Sequence, residues 1–169
     1  MNLSITDASI KGVKIINYDN FVDLRGSIWT TYLDNKINIQ DNIKFNHDKF
    51  SVSYKNVIRG IHYDNKTFKI VTAVYGAIDQ VVVDMRKDSK TYKESLIFNI
   101  DDSNRFSILI PPMVGNGFRV KSDVAVYHYK LSYLGEYLDA ENQYTLKWND
   151  SSVDIDWNCE NPILSSRDS

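Results

Sequence analysis

A chain of 169 residues, 43% hydrophobic and 25% charged, is long enough to bury one core and reads as a single globular domain, residues 1–169. Its formal net charge of −2, with lysines and arginines spread along the chain, excludes a general nucleic-acid or membrane-surface role. The single cysteine, Cys159, cannot form an internal disulfide and is too little for a thiolate metal site, which fits a reducing compartment. The N-terminal stretch has no apolar signal core, and no apolar run approaches a membrane span, so the expected compartment is the cytoplasm.

Taken in order, residues 9–18 alternate well enough for a first strand, Asp23-Leu24-Arg25-Gly26 is a turn, and residues 27–32 resume a strand. Residues 34–44 are polar and read as a loop or a short helical turn. Residues 50–54 alternate again and lead through Lys55-Asn56 into Val57-Ile58-Arg59-Gly60-Ile61-His62-Tyr63, a strand of β-branched and aromatic residues carrying polar groups. Strict alternation puts Arg59 and Ile61 on one face and Ile58, Gly60 and His62 on the other. Gly60 leaves room beside His62 for a close neighbour or a ligand. Further strands are expected at 68–75, 77–85, 95–100, 106–110, 117–120 and 125–131, with turn residues between them. Val81-Val82-Val83 has the continuous apolar character of a strand buried on both faces. Short strands at intervals of roughly ten residues describe an all-β sandwich or barrel, and no run of helical period makes a βαβ unit. The tail from Ser132 is expected to pack over the barrel as loops and short helical turns.

Four features could carry chemistry, of which the terminal Leu164-Ser165-Ser166-Arg167-Asp168 means nothing alone, since a C-terminal Asp is normally solvated. An imidazole titrates near neutral pH, so His62 can take a proton from carbon or oxygen, and a nearby Arg59 suits an anionic substrate. In Tyr127-His128-Tyr129-Lys130 the two tyrosines share one strand face, and a tyrosine facing into the barrel can donate a phenolic proton; Tyr133 and Tyr137 follow. Lys69, if it points inward, is a buried cation that needs a partner or a function, and Asp84 on the neighbouring strand is the natural partner. His47, His62 and His128 lack the close spacing of a small-barrel metal site, so neither metal nor other cofactor is expected.

Together these residues resemble the dTDP-4-dehydrorhamnose 3,5-epimerase family of nucleotide-sugar epimerases, from about residue 12 to residue 168. The resemblance is carried by Asp23-Leu24-Arg25-Gly26, Arg59-Gly60-Ile61-His62-Tyr63, Asp84-Met85-Arg86 with Ser89, Ile110-Pro111 with Gly117-Phe118, Tyr129-Lys130, Trp148-Asn149-Asp150, and the Leu-Ser-x-x-Asp that ends at Asp168. It implies a metal-independent, cupin-like jelly-roll β-barrel. It also implies an isomerase inverting C3, C5 or both in a nucleotide-linked 4-keto-6-deoxy sugar or 4-keto heptose, in surface polysaccharide sugar biosynthesis. By the same resemblance His62 is the base, Asp168 holds its imidazole, Tyr129 is the acid on the opposite face, and Lys69 stabilises the enolate oxygen. Arg59 and, from the partner subunit of a homodimer, Arg25 meet the diphosphate. A single-centre epimerase, a ketoisomerase or a non-catalytic sugar-binding module are the alternatives on such a barrel.

Asn116 stands where the family often has His, and His47 and Lys49 where it usually has Gln and Asn on the nucleotide-contacting strand. Lysine offers only donors and neutral His one donor and one acceptor, so the bonds to a thymine edge cannot be the same. The expected preference is therefore a guanosine diphosphate sugar over a thymidine one. Either Tyr133 or Tyr137 matches the family's second site tyrosine.

Overall fold

The computed structural model describes residues 2–34, 36, 37 and 43–169. In chain order the strands are β1 (Leu3–Asp7), β2 (Lys14–Tyr18), β3 (Asn20–Asp23), β4 (Gly26–Trp29), β5 (His47–Tyr54), β6 (Ile58–Tyr63), β7 (Phe68–Tyr75) and β8 (Ile78–Asp84). They continue as β9 (Ser95–Ile100), β10 (Ser107–Ile110), β11 (Val114–Val120), β12 (Val124–Ser132) and β13 (Tyr144–Thr145), with one 3-10 turn at Ala140–Asn142. Two sheets face each other: a six-stranded sheet in the order β1-β2-β10-β7-β12-β5 and a five-stranded sheet in the order β13-β6-β11-β8-β9. β3 and β4 form a separate hairpin. This is the all-β, cupin-like jelly roll. Among the described residues no helix is long and apolar enough to cross a membrane.

The core is built in layers. Between the sheets lie Val71 and Ala73 of β7, Val82 of β8, Ile108 and Ile110 of β10, Phe118 and Val120 of β11 and Tyr127 of β12. On the outer face of the five-stranded sheet Val81 and Val83 pack with Ile58, Ile61 and the tail residues Leu146, Val153 and Trp157. The valine run is therefore buried on both faces, Val82 inward and its neighbours outward. The outer face of the six-stranded sheet is covered by Ile37 and Phe45 over Ile16, Ile70 and Leu109.

Three expectations are corrected. Residues 9–18 are not one strand: Ala8 N–H bonds Val13 O and Val13 N–H bonds Ile10 O. Gly12 sits at φ +85°, a left-handed conformation that glycine adopts without Cβ strain, so the strand begins only at Lys14. Residues 30–32 do not continue β4. The segment 34–44 lies largely outside the described residues.

The third correction concerns β6. Asn116 of β11 faces His62, but Phe118 faces Arg59, so two residues of β6, Gly60 and Ile61, oppose the one residue Gly117. This bulge shifts the alternation by one place. Arg59 and His62, expected on opposite faces, both turn inward, while Ile58 and Ile61 both turn outward. Gly60 is required there: at φ +111° an added Cβ would lie 2.5 Å from Asn116 O and 2.7 Å from Gly117 Cα. The close neighbour that Gly60 admits is the β11 backbone.

Candidate active site

The inward faces of β5, β6, β7, β11 and β12 open into a cavity of about 250 Å³ at one end of the sandwich. Strand alternation delivers Lys49 and Ser51 from β5, Tyr129 and Leu131 from β12, and Lys69 from β7, and the bulge adds Arg59 and His62. The tail closes the wall. Ile163 bridges Val57 in parallel, and Ile58 N–H bonds Ile163 O, so the last residues run back beside β6 and end against His62.

His62 Nε2 donates to Asp168 Oδ1 at 2.6 Å, and Ser165 Oγ donates to Asp168 Oδ2 at 2.8 Å. A carboxylate can only accept, so the bonded Nε2 carries a proton, and in the neutral tautomer this leaves the lone pair on Nδ1. Asp168 is 3% exposed. Burial raises its pKa, but the His62 hydrogen bond and charge and the Ser165 hydroxyl outweigh burial and hold the carboxyl below its ordinary value. A C-terminal Asp would normally be solvated; here it is a fixed anion.

Tyr129 lines the opposite side. Burial pushes its phenol up to about 12, against the lowering effect of the Arg59 charge and the Ser51 hydroxyl, so at neutral pH it holds its proton. Lys69 is 6% exposed, and burial draws its ammonium down to about 8, partly offset by Asp64 and reinforced by Arg167. Its partner is Asp64, with Nζ–Oδ2 at 3.9 Å, not Asp84. Asp84 is taken by its own turn: it accepts from Arg86 Nε and Nη2 at 2.8 Å each and from the Ser89 and Thr91 hydroxyls, and these bonds overcome burial to hold it at about 2.

The remaining candidates divide. Arg59 is fixed by Nε donating to Ser53 Oγ at 2.9 Å. Asn116 is 6% exposed and lines the cavity beside His62. Tyr137, not Tyr133, lines the cavity, with Lys49 Nζ 5.4 Å from its ring centre and 3.5 Å from Asp139 Oδ1. His47 stands behind this wall, edge-on to Tyr137 at 5.0 Å and 3.1 Å from Tyr133 Oη. Arg25 is not brought to the cavity: it sits exposed at the tip of the β3–β4 hairpin, paired with Asp23. Among the described residues no group of three His, Cys, Asp or Glu side chains could hold a metal ion.

Residues not foreseen include Asp64, Ser51, Asp139 and Arg167. Arg167 lines the cavity and is anchored by Nε to Thr145 Oγ1 at 2.8 Å. Its place immediately before Asp168 was the available signal. Four cations, Lys49, Arg59, Lys69 and Arg167, against two carboxylates, Asp139 and Asp168, make the lining electropositive, which suits a polyanionic ligand.

Comparison with known proteins shows the family. The family described as dTDP-4-dehydrorhamnose 3,5-epimerase matches residues 7–169. A dTDP-4-dehydrorhamnose 3,5-epimerase of Neisseria gonorrhoeae is 34% identical over 171 residues, covering 98% of this chain; the chain spans about half, 51%, of that relative's length. A 4-keto-6-deoxy sugar epimerase of Streptomyces spheroides superposes with a TM-score of 0.90 at 31% identity, covering 99% of this chain and 85% of the other. A dTDP-6-deoxy-D-glucose-3,5-epimerase of Legionella pneumophila, solved in complex with dTDP-4-keto-L-rhamnose, gives a TM-score of 0.90 at 28% identity, covering 99% and 90%. By the match along residues 7–169, by the fold and by the shared identity, the chain belongs to the dTDP-4-dehydrorhamnose 3,5-epimerase family of isomerases.

Proposed function

We propose that this chain epimerises a dTDP-linked 4-keto-6-deoxy sugar at C3, C5 or both, as the names of its relatives suggest. The observation that carries the reading is the pairing, in one electropositive cavity, of a carboxylate-held imidazole with a protonated phenol and a buried ammonium. His62 Nδ1 takes the proton from the carbon beside the keto group. The C–H electron pair becomes a C=C bond and the carbonyl π pair moves onto oxygen, where the Lys69 ammonium meets the developing charge. Tyr129 gives a proton from the opposite face, which inverts the centre and leaves a phenolate; Asp168 sets the reactive tautomer of His62 and then stabilises the imidazolium, and both groups exchange protons with solvent before the next turnover. Arg59 and Arg167 offer guanidinium groups to the diphosphate.

A second reading of the nucleotide rests on Lys49 and Asp139 at the cavity wall. A lysine donor beside a carboxylate acceptor matches the O6 acceptor and the N1–H and N2–H donors of guanine at least as well as the edge of thymine. We further propose a homodimer. The hairpin that carries Arg25 exposes Phe21, Val22, Leu24 and Ile28, an apolar arm suited to lie against a second copy and bring Arg25 to the partner's diphosphate.

The test is incubation with dTDP-4-keto-L-rhamnose in heavy water. Solvent deuterium at C3 or C5, lost in His62→Asn, is the expected result. Binding without exchange would make the chain a sugar-binding module instead.

A further inference from the structure

Beneath the cavity lies a buried polar cluster that the steps above leave unused. Gln80 of β8 and Tyr127 of β12 are each 0% exposed. Gln80 Nε2 donates to Asn116 Oδ1 at 2.8 Å and to the backbone oxygens Val81 O at 2.9 Å and Gly117 O at 3.0 Å. Tyr127 Oη donates to Gln80 Oε1 and lies 3.2 Å from Asn116 Oδ1. The Tyr127 ring is itself clamped, stacked on Phe118 at 4.1 Å and edge-on to Tyr129 at 4.6 Å.

This network fixes which way the Asn116 amide points. Backbone carbonyls only accept, so the end of Gln80 that faces Val81 O and Gly117 O is its NH₂. The atom of Asn116 that meets this NH₂ is therefore its oxygen; the flipped amide would set two NH₂ groups against each other. Asn116 Oδ1 is thus held in the buried layer, and Asn116 Nδ2 makes no hydrogen bond among the described residues while its side chain lines the cavity. Asn116 is also the cross-strand partner of His62. Side chains so paired have Cβ atoms about 4.5–5.5 Å apart. A carbon whose proton goes to His62 has its carbonyl oxygen on the adjoining atom, within reach of a donor at that position.

We infer that Asn116 Nδ2 is a neutral hydrogen-bond donor to the enolate oxygen, complementing the Lys69 charge, and that Gln80 and Tyr127 are positioning residues that aim it. The inference rests on the epimerase reading. As His62 takes the carbon-bound proton, the oxygen gains the carbonyl electron pair and its bond from Asn116 N–H strengthens. When Tyr129 protonates the carbon, the pair returns and the bond relaxes. Asn116 does not ionise, so this contribution is independent of pH, whereas that of Lys69 is not.

The experiment measures solvent deuterium entry into dTDP-4-keto-L-rhamnose, with rate and KM separated and thermal midpoints recorded. Loss of one preorganised oxyanion donor typically costs about 10²–10³-fold in rate. Asn116→Ala and Asn116→Asp should each lose about 100-fold or more in exchange rate with KM little changed. Asn116→Asp keeps the Oδ1 acceptor for Gln80 and so tests the donor with the buried layer intact. Gln80→Met should lose about 10-fold in the wild-type background and nothing further in Asn116→Ala, since Gln80 acts only through Asn116. Exchange by Asn116→Asp or Asn116→Ala at the wild-type rate overturns the inference while leaving the epimerase reading intact. Equal rate losses for Gln80→Met in both backgrounds overturn the positioning role. Wild-type protein that exchanges no deuterium overturns both readings together.

Discussion

Lys69 gives the same protein two opposite responses to pH. Its ammonium is drawn from an ordinary 10.5 to about 8 by burial, so the unfolded chain binds its proton more tightly than the folded one. A depressed lysine pKa means that folding is opposed where the lysine must be charged, and the opposition fades as pH rises from about 8 to 10.5. Working the two pKa values through the linkage relation gives a stability gain of about 2 kcal/mol between pH 8 and pH 10. Activity runs the other way. If the charged form meets the enolate, one pH unit above about 8 leaves about one-tenth of it, and the exchange rate falls about tenfold by pH 9. Denaturant unfolding of wild type and Lys69→Met at both pH values, alongside the deuterium-exchange profile, measures both. The Lys69→Met difference isolates the lysine from the tyrosines that titrate higher. An exchange rate flat to pH 9.5, or a wild-type stability that tracks Lys69→Met across the range, would refute the reasoning.

Tyr129→Phe should retain deuterium exchange, because His62 can remove and return a proton on one face, and should lose inverted product; inversion at the normal rate would hand the acid role to Tyr137. Asp168→Asn should cut turnover strongly with the fold kept, since the side chain still fills its buried place but can flip and present NH₂ to His62, favouring the wrong tautomer; unchanged turnover would show that His62 needs no anion. Thermal midpoints with dTDP, GDP and UDP at equal concentration decide the nucleotide. A ligand at 100 times its Kd adds about 2.7 kcal/mol, so a tenfold preference is visible, and the guanosine reading fails if dTDP shifts the midpoint most. Mixing inactive Arg25→Ala and His62→Asn chains should restore activity if Arg25 serves the partner's site; light scattering at the monomer mass would end the dimer proposal.

The strands and the chemistry of this site were written locally, and its geometry was not. Alternation and turn residues delimit β7 and β9 to the residue because each strand faces a core on at least one side and ends at a turn. His62, Tyr129 and Asp168 stand in recognisable motifs, and Lys69 is marked as a lone cation at the start of an apolar strand. What the sequence could not disclose depends on how one strand registers against another. The bulge that turns Arg59 inward exists only because Gly117 faces two residues of β6, and the clue, Gly60, is equally consistent with room for a ligand. Asp84 looked like the partner of Lys69 because it lies on an adjacent element, yet its lone pairs are spent within residues 84–91, and a carboxylate so satisfied has little left for a distant ammonium. Asp64, two residues after His62, uses Oδ1 to cap Lys66 N–H and Thr67 N–H, which leaves Oδ2 as the one oxygen turned toward Lys69. The loose 3.9 Å spacing of that pair, with only a long 3.5 Å hydrogen bond from Nζ to the His62 carbonyl oxygen beside it, holds the ammonium weakly, which is what the proposed role toward a developing enolate oxygen requires.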